Sequence, residues 1–229
     1  MAVCWSEGRV MTSFIPSELE EKYEFINYNN AIEILCAGYP DEWKNIQEML
    51  QKFKLEVNDI ASAGGAETAI PGKIDAVLRA TGWKNVMVTA DLNLKLYERK
   101  ADAKSYDEEY AIDNRSIYNY VKGPHVDFLK NRTALCVEWN KKDVDFDRCI
   151  AALRTFFELG IINVGIIFTR SEDLECVFDK IELPNGKKAS SKYGASSTHM
   201  SRLTLRLDSH QAGGCPVIAI GIKSACLVE

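Results

Sequence analysis

Histidine is scarce in this sequence: there are three, His125, His199 and His210, in 229 residues. The seven cysteines include no C-x-x-C pair. Zinc sites built from closely spaced Cys and His pairs are therefore excluded. No apolar run approaches the ~20 residues that cross a bilayer. The first residues, MAVCWSEGR, lack the basic-then-apolar layout of a signal peptide. No Gly-rich phosphate loop of the Walker or Rossmann kind is present, which counts against a metabolic enzyme working on nucleotides. Repeats and low-complexity tracts are also missing. Positive charge is not in excess: 28 Lys and Arg stand against 33 Asp and Glu, a net of −5. Taken whole, that sign speaks against a nucleic-acid binder.

What the chain does have is core-forming material, with 46% hydrophobic and 27% charged residues. Such a composition buries a sizeable core and suits an α/β domain. The cysteine count is odd and several lie in apolar runs such as 134–137. That pattern reads as reduced thiols of a cytoplasmic protein. The charge is unevenly spread. Residues 1–60 hold 11 acidic and 5 basic side chains. Residues 180–206 hold Lys180, Lys187, Lys188, Lys192, Arg202 and Arg206 against Glu182 alone. This basic segment is either a solvated loop or a directed field for an anionic partner.

Apolar spacing predicts one or two helices over 29–53, the second opened by Pro40 and Asp41. A helix is expected over 67–80 and strands over 86–98, with an exposed polar stretch over 101–113. Residues 126–129 and 133–139 read as strands joined by a turn near 130–132. A helix over 144–159, with Phe146, Ile150, Leu153 and Phe156 on one face, is closed by Gly160. The continuous apolar run 161–169 suits a strand covered on both faces, and 215–223 adds another. The expected fold is α/β, a central mixed β-sheet flanked by helices. Residues 1–24 read as an N-terminal extension, with Met1 or Met11 as the start, and 25–229 as a single domain.

Alternation puts Glu138 and Asn140 on one side of the strand that ends there. A hairpin would set Asp127 beside Glu138. Two carboxylates with a backbone carbonyl make a hard oxygen site for Mg²⁺, and an unpaired carboxylate in an apolar strand is costly without a cation. A bound metal can activate water and offset charge on a phosphodiester. Asn140 can orient that water but carries no charge; Lys141 and Lys142 follow.

These residues lie in a stretch, 124–143 (PHVDFLKNRTALCVEWNKKD), that resembles the active-site hairpin of BglII/BstYI-type type II restriction endonucleases. The likeness continues through 146–148 (FDR), 160–170 (GIINVGIIFTR), 197–200 (STHM) and 213–217 (GGCPV), with a weaker echo in 28–35, Trp43 and 82–84. The resemblance implies a restriction-endonuclease-like (PD-(D/E)xK) core and a homodimer. It also implies Mg²⁺-dependent cleavage of double-stranded DNA at a short palindrome, with a cognate DNA methyltransferase as functional partner. Asp127 and Glu138 become metal ligands and catalytic residues, with Asn140, helped by Lys142, holding the water. Asn140 stands where the best-known members have Gln and the wider superfamily Lys, and the Asp–Glu interval is longer here. Val126 replaces the superfamily's Pro.

The same resemblance makes Lys141, Lys142 and Asp143 candidate base readers in the major groove, while Asp143 can equally cap the following helix. Lys187, Lys188, Ser190 and Lys192 become phosphate contacts. Ser197 or Thr198 can cap a helix. Thr198 and His199 are candidate DNA contacts, His199 having a structural alternative. Glu67, after Gly64-Gly65, is a candidate extra acidic group. A catalytically inactive DNA-binding protein of the same fold is the alternative, left open by Asn140.

Overall fold

The computed structural model describes residues 14–61, 69–98 and 111–228. Glu67 and most of the polar stretch 101–113 lie outside them, as do both candidate start residues. The chain divides into two compact units, one formed by the residues up to Val86 together with those from Val126 onward, the other by Met87–His125.

The first unit begins with a short helix α1 (Ser17–Lys22) and the strand β1 (Tyr23–Tyr28). Two helices follow, α2 (Ala31–Gly38) and α3 (Pro40–Lys52), with Pro40 in the first turn as its fixed φ and missing N–H favour. After β2 (Leu55–Glu56), α4 (Val57–Ala61) and α5 (Ala69–Ala80), the chain enters β3 (Lys84–Tyr97) and returns in β4 (Ala111–Lys130). The remaining elements are β5 (Thr133–Val137), α6 (Asp145–Glu158), β6 (Val164–Arg170), α7 (Glu175–Phe178), α8 (Met200–Asp208), β7 (Val217–Ile222) and β8 (Leu227–Val228).

The six-stranded sheet runs β1-β7-β6-β5-β4-β3. It is mixed: β1 is antiparallel to β7, β7, β6 and β5 are parallel, and β5 is antiparallel to β4. Every residue of β5, β6 and β7 is buried, as the continuous apolar runs require of strands covered on both faces. One face carries Leu135, Val137, Ile166, Phe168, Ile218 and Ile220 into the main core with Leu35, Ile46, Leu50, Ile74 and Leu78 from the helices. On the other face helices approach the sheet at glycines. A Cβ at Gly165 would lie 2.8 Å from a Leu153 methyl of α6, and one at Gly221 would lie 2.5 Å from Cγ of Met200 and 3.3 Å from the Ser171 amide. Gly221→Ala should therefore cost about 1–3 kcal/mol by forcing α8 outward. A chemical-denaturation midpoint equal to that of the parent protein would show that α8 is not seated so closely.

The second unit is a hairpin of the distal parts of β3 and β4. The Ser116 hydroxyl donates to Asn93 Oδ1 at 2.8 Å, and the Asn119 amide, in a residue of φ 53°, donates to Asp91 Oδ1 at 2.8 Å. Leu94, Leu96, Ile112, Tyr118 and Tyr120 are exposed on it. Among the described residues no helix is long and apolar enough to cross a membrane. Cys136, Cys149, Cys215 and Cys226 are buried free thiols, but Cys176 is exposed and Cys36 half-buried.

Candidate active site

The site is made where β4 turns into β5. Lys130 pairs with Thr133, leaving Asn131 and Arg132 as the turn, and Asn131 takes the left-handed φ of 48° that a short polar side chain tolerates. Phe128 pairs with Leu135, which brings Asp127 beside the end of β5. There the Asp127 side chain replaces a backbone acceptor: its Oδ2 receives the Val137 amide at 2.8 Å. Glu138 follows directly. Its backbone is held by β6, its amide donating to the Phe168 carbonyl at 2.8 Å and its own carbonyl accepting from the Thr169 hydroxyl at 2.8 Å. The carboxylate is thus presented from a rigid sheet end, where ligands of open α/β sheets bind.

Glu138 is 5% exposed, and its Oε2 makes no well-formed hydrogen bond. Burial pushes its carboxyl up to about 7; the Lys141 ammonium opposes this, while the Asp127 and Asp145 carboxylates add to it. Lys141 Nζ lies 3.1 Å from Glu138 Oε2 and 3.3 Å from the Val137 carbonyl. Burial works against that ammonium, yet Glu138, with Asp127 and Asp145 behind it, holds its pKa above the usual lysine value. Asp145, in the first turn of α6, is itself 2.6 Å from Arg148. The buried Cys149 thiol is held well above its usual pKa, first by a hydrogen bond with Cys136, then by burial, with Glu138 and Asp127 adding to it.

Beyond Glu138 the strand geometry ends. Asn140 is left-handed, with φ 48°, so strict alternation no longer decides which side chain returns to the site. It is Lys141 that does so; Lys142 is exposed and forms an isolated antiparallel bridge with Ser197. The 141–143 segment is pinned to 196–198. Thr198 donates its amide to the Lys141 carbonyl at 2.9 Å and accepts the Lys141 amide on its hydroxyl at 3.3 Å; the Asp143 amide donates to the Ser196 carbonyl at 2.9 Å. The Asp143 carboxylate lies 4.0 Å from Arg202 and 3.9 Å from Arg206 on α8, and makes no side-chain cap on α6, whose N-cap is Val144.

Thr198 is fully buried and His199 nearly so; the His199 ring meets Glu172 at 2.7 Å and Ser201 at 3.2 Å. Ser197 and Thr198 do not cap α8, whose N-cap is His199, because their hydroxyls are engaged elsewhere. Ser197 takes a hydrogen bond of 3.0 Å from the buried Arg170, which also donates to the Tyr193 carbonyl at 3.3 Å. Lys192 donates to the Ile60 carbonyl at 3.1 Å and lies over the Tyr193 ring. Lys187 and Lys188 are exposed on a tight turn at Gly186, with Ser190 half-buried after it. Asp127, Glu138, Lys141 and Asp145 thus lie near enough to act on one another's charge. The structure sets Lys142 and Asp143 beside the 196–198 segment and leaves Lys187 and Lys188 on a separate turn.

The family model described as restriction endonuclease BglII/BglIII matches residues 23–222. The chain belongs to the BglII/BglIII restriction endonuclease family. Membership places it among nucleases, and the mixed sheet flanked by helices is the corresponding fold. No curated protein matches the chain. For this BglII/BglIII-family chain the family implies a Mg²⁺-dependent type of nuclease, and the donor set can be tested against that metal. Among the described residues no group of three or more His, Cys, Asp or Glu is arranged to hold a metal ion. The two carboxylates of Asp127 and Glu138 are nevertheless hard donors of the right kind. Mg²⁺ keeps several waters and takes only one or two carboxylates, and the buried Glu138 Oε2, faced by the Lys141 ammonium at 3.1 Å, is the kind of oxygen a cation satisfies.

Proposed function

We propose that the protein is a type II restriction endonuclease that hydrolyses both strands of double-stranded DNA at a short palindromic site with Mg²⁺. The observation that carries this is the buried Glu138 carboxylate, held with Asp127 at the sheet end of a chain of this family. Asp127 and Glu138 would hold the metal, which would supply Lewis acidity and lower the pKa of a bound water. Asn140 orients the attacking water, and the exposed Lys142 adds positive charge for the scissile phosphate. The water oxygen attacks phosphorus in line and the P–O3′ bond breaks; one water proton goes to solvent and O3′ takes one up, leaving a 3′-hydroxyl and a 5′-phosphate. Lys187, Lys188 and Ser190 meet the DNA backbone. Asp143, once parted from Arg202 and Arg206, joins Lys142 in base readout. Thr198, Lys192 and His199 act from behind, fixing the segments that reach the DNA. A palindrome presents the same half-site twice, so the working form is a homodimer. A cognate methyltransferase protects host DNA.

One feature favours the inactive alternative: Asn140 brings no charge to the position where a lysine would stand. The two readings part when the purified protein meets unmethylated plasmid in Mg²⁺. Discrete, religatable fragments are expected. Tight duplex binding in Ca²⁺ with no nicking in Mg²⁺ or Mn²⁺ would select the alternative, and random smearing would remove site specificity.

A further inference from the structure

We infer that Lys141 is a built-in stand-in for the divalent cation, occupying the Glu138 oxygen in the metal-free protein and leaving it for the DNA backbone when the metal binds. The inference rests on the proposed metal site of Asp127 and Glu138 and goes beyond it by coupling that site to DNA affinity.

Three observations support it. The Lys141 ammonium is 3.1 Å from Oε2 of Glu138, and that oxygen has no well-formed hydrogen bond from any other group. A metal ligated by the same carboxylate would meet the ammonium at close range, where like charges repel strongly in a partly buried setting. Second, the backbone of Lys141 is clamped on both sides by Thr198, through the hydrogen bonds of 2.9 Å and 3.3 Å, so only the side chain has to move. Third, the Lys141 side chain is 41% exposed while the Glu138 side chain is 7% exposed, so an outward path lies open to the lysine and none to the carboxylate. Lys142, the next residue, already projects from the same clamped segment, and a released Lys141 would add a second positive charge there. This second positive charge then reaches the DNA side only after the metal is in place. This suits a protein of net charge −5 that must not hold every duplex it meets.

The test compares wild type with Lys141→Gln. Calcium binding to the DNA-free proteins is measured by calorimetry. Duplex binding is then measured over a range of salt, with Ca²⁺ and with EDTA. Lys141→Gln should bind Ca²⁺ about tenfold more tightly, because no ammonium competes for Glu138. With Ca²⁺, the variant should lose about one unit of salt slope relative to wild type, the mark of one missing phosphate contact. With EDTA the two slopes should agree. Equal or weaker Ca²⁺ binding by the variant overturns the inference, as does a slope loss that is the same in EDTA. Glu138→Gln separates the two levels. If it binds Ca²⁺ as wild type does, the metal-site reading itself has failed. If it loses Ca²⁺ while Lys141→Gln matches wild type, only the role of Lys141 has failed.

Discussion

Exchanging Glu138 for Gln should lower Mg²⁺-dependent plasmid cleavage about 10³-fold or more, equivalent to ~4 kcal/mol of lost transition-state stabilisation. The substitution keeps the volume, and the backbone of this residue is held by Phe168 and Thr169 regardless of the side chain. The loss therefore reports on charge at the site and not on unfolding. Asp127→Asn should fall similarly, with one difference. Asp127 Oδ2 also accepts the Val137 amide. The Asn variant can keep that bond through its carbonyl oxygen, whereas Asp127→Ala should lose stability as well as activity. Cleavage at the wild-type rate by either the Gln or the Asn variant would remove these carboxylates from the chemistry.

The second large effect is on stability and needs no DNA. Glu138 has its carboxyl raised from 4.5 to about 7 in the folded chain. Below the unfolded value the group is protonated in both states and costs nothing. As pH rises from about 4.5 to about 7 the unfolded chain releases this proton first, so the folded state binds more protons and loses stability. The shift corresponds to a loss on the order of 3 kcal/mol, complete above about pH 7. In EDTA, Glu138→Gln should therefore unfold several degrees higher than wild type at pH 8 and with little difference at pH 4.5. Added Mg²⁺ or Ca²⁺ should recover the loss in wild type and do nothing for the variant. A variant less stable than wild type at pH 8 would mean that the Glu138–Lys141 pair is a net stabiliser, contrary to the burial argument.

Much of this geometry is legible in the chain. The apolar stripe of α6, its closure at Gly160 with φ 68° and the buried run of β6 follow from spacing alone. The turn at Asn131 does so too, and with it the approach of Asp127 to the end of β5. The helical stretch 29–53 resolves into two helices, as Pro40 suggests. What was not legible depends on contacts distant in sequence or on a local break in periodicity. Strand β1 pairs with β7 across nearly two hundred residues, and no local signal reports that register. Strand β5 stops at Val137, two residues short of the expected strand 133–139, because Glu138 bonds to β6 while Asn140 turns the chain. Alternation therefore points to Asn140 as the neighbour of Glu138, when the residue that reaches it is Lys141. The Glu138–Lys141 spacing and the tolerance of Asn for positive φ were the signals available. Asp145 and Arg170 had none, since their neighbours come from other elements. The acidic net charge also looks different once placed: part of it sits at Asp127, Glu138 and Asp145, where Lys141 and Arg148 lie against two of these carboxylates.

The most direct test is anomalous diffraction from crystals of the wild-type protein grown with Mn²⁺ and a duplex whose scissile phosphates are chemically blocked against cleavage. The prediction is a Mn²⁺ peak within coordination distance of both Asp127 and Glu138, with the Lys141 ammonium turned away toward a DNA phosphate. A peak elsewhere, or none at these carboxylates with Lys141 still on Glu138, would contradict it.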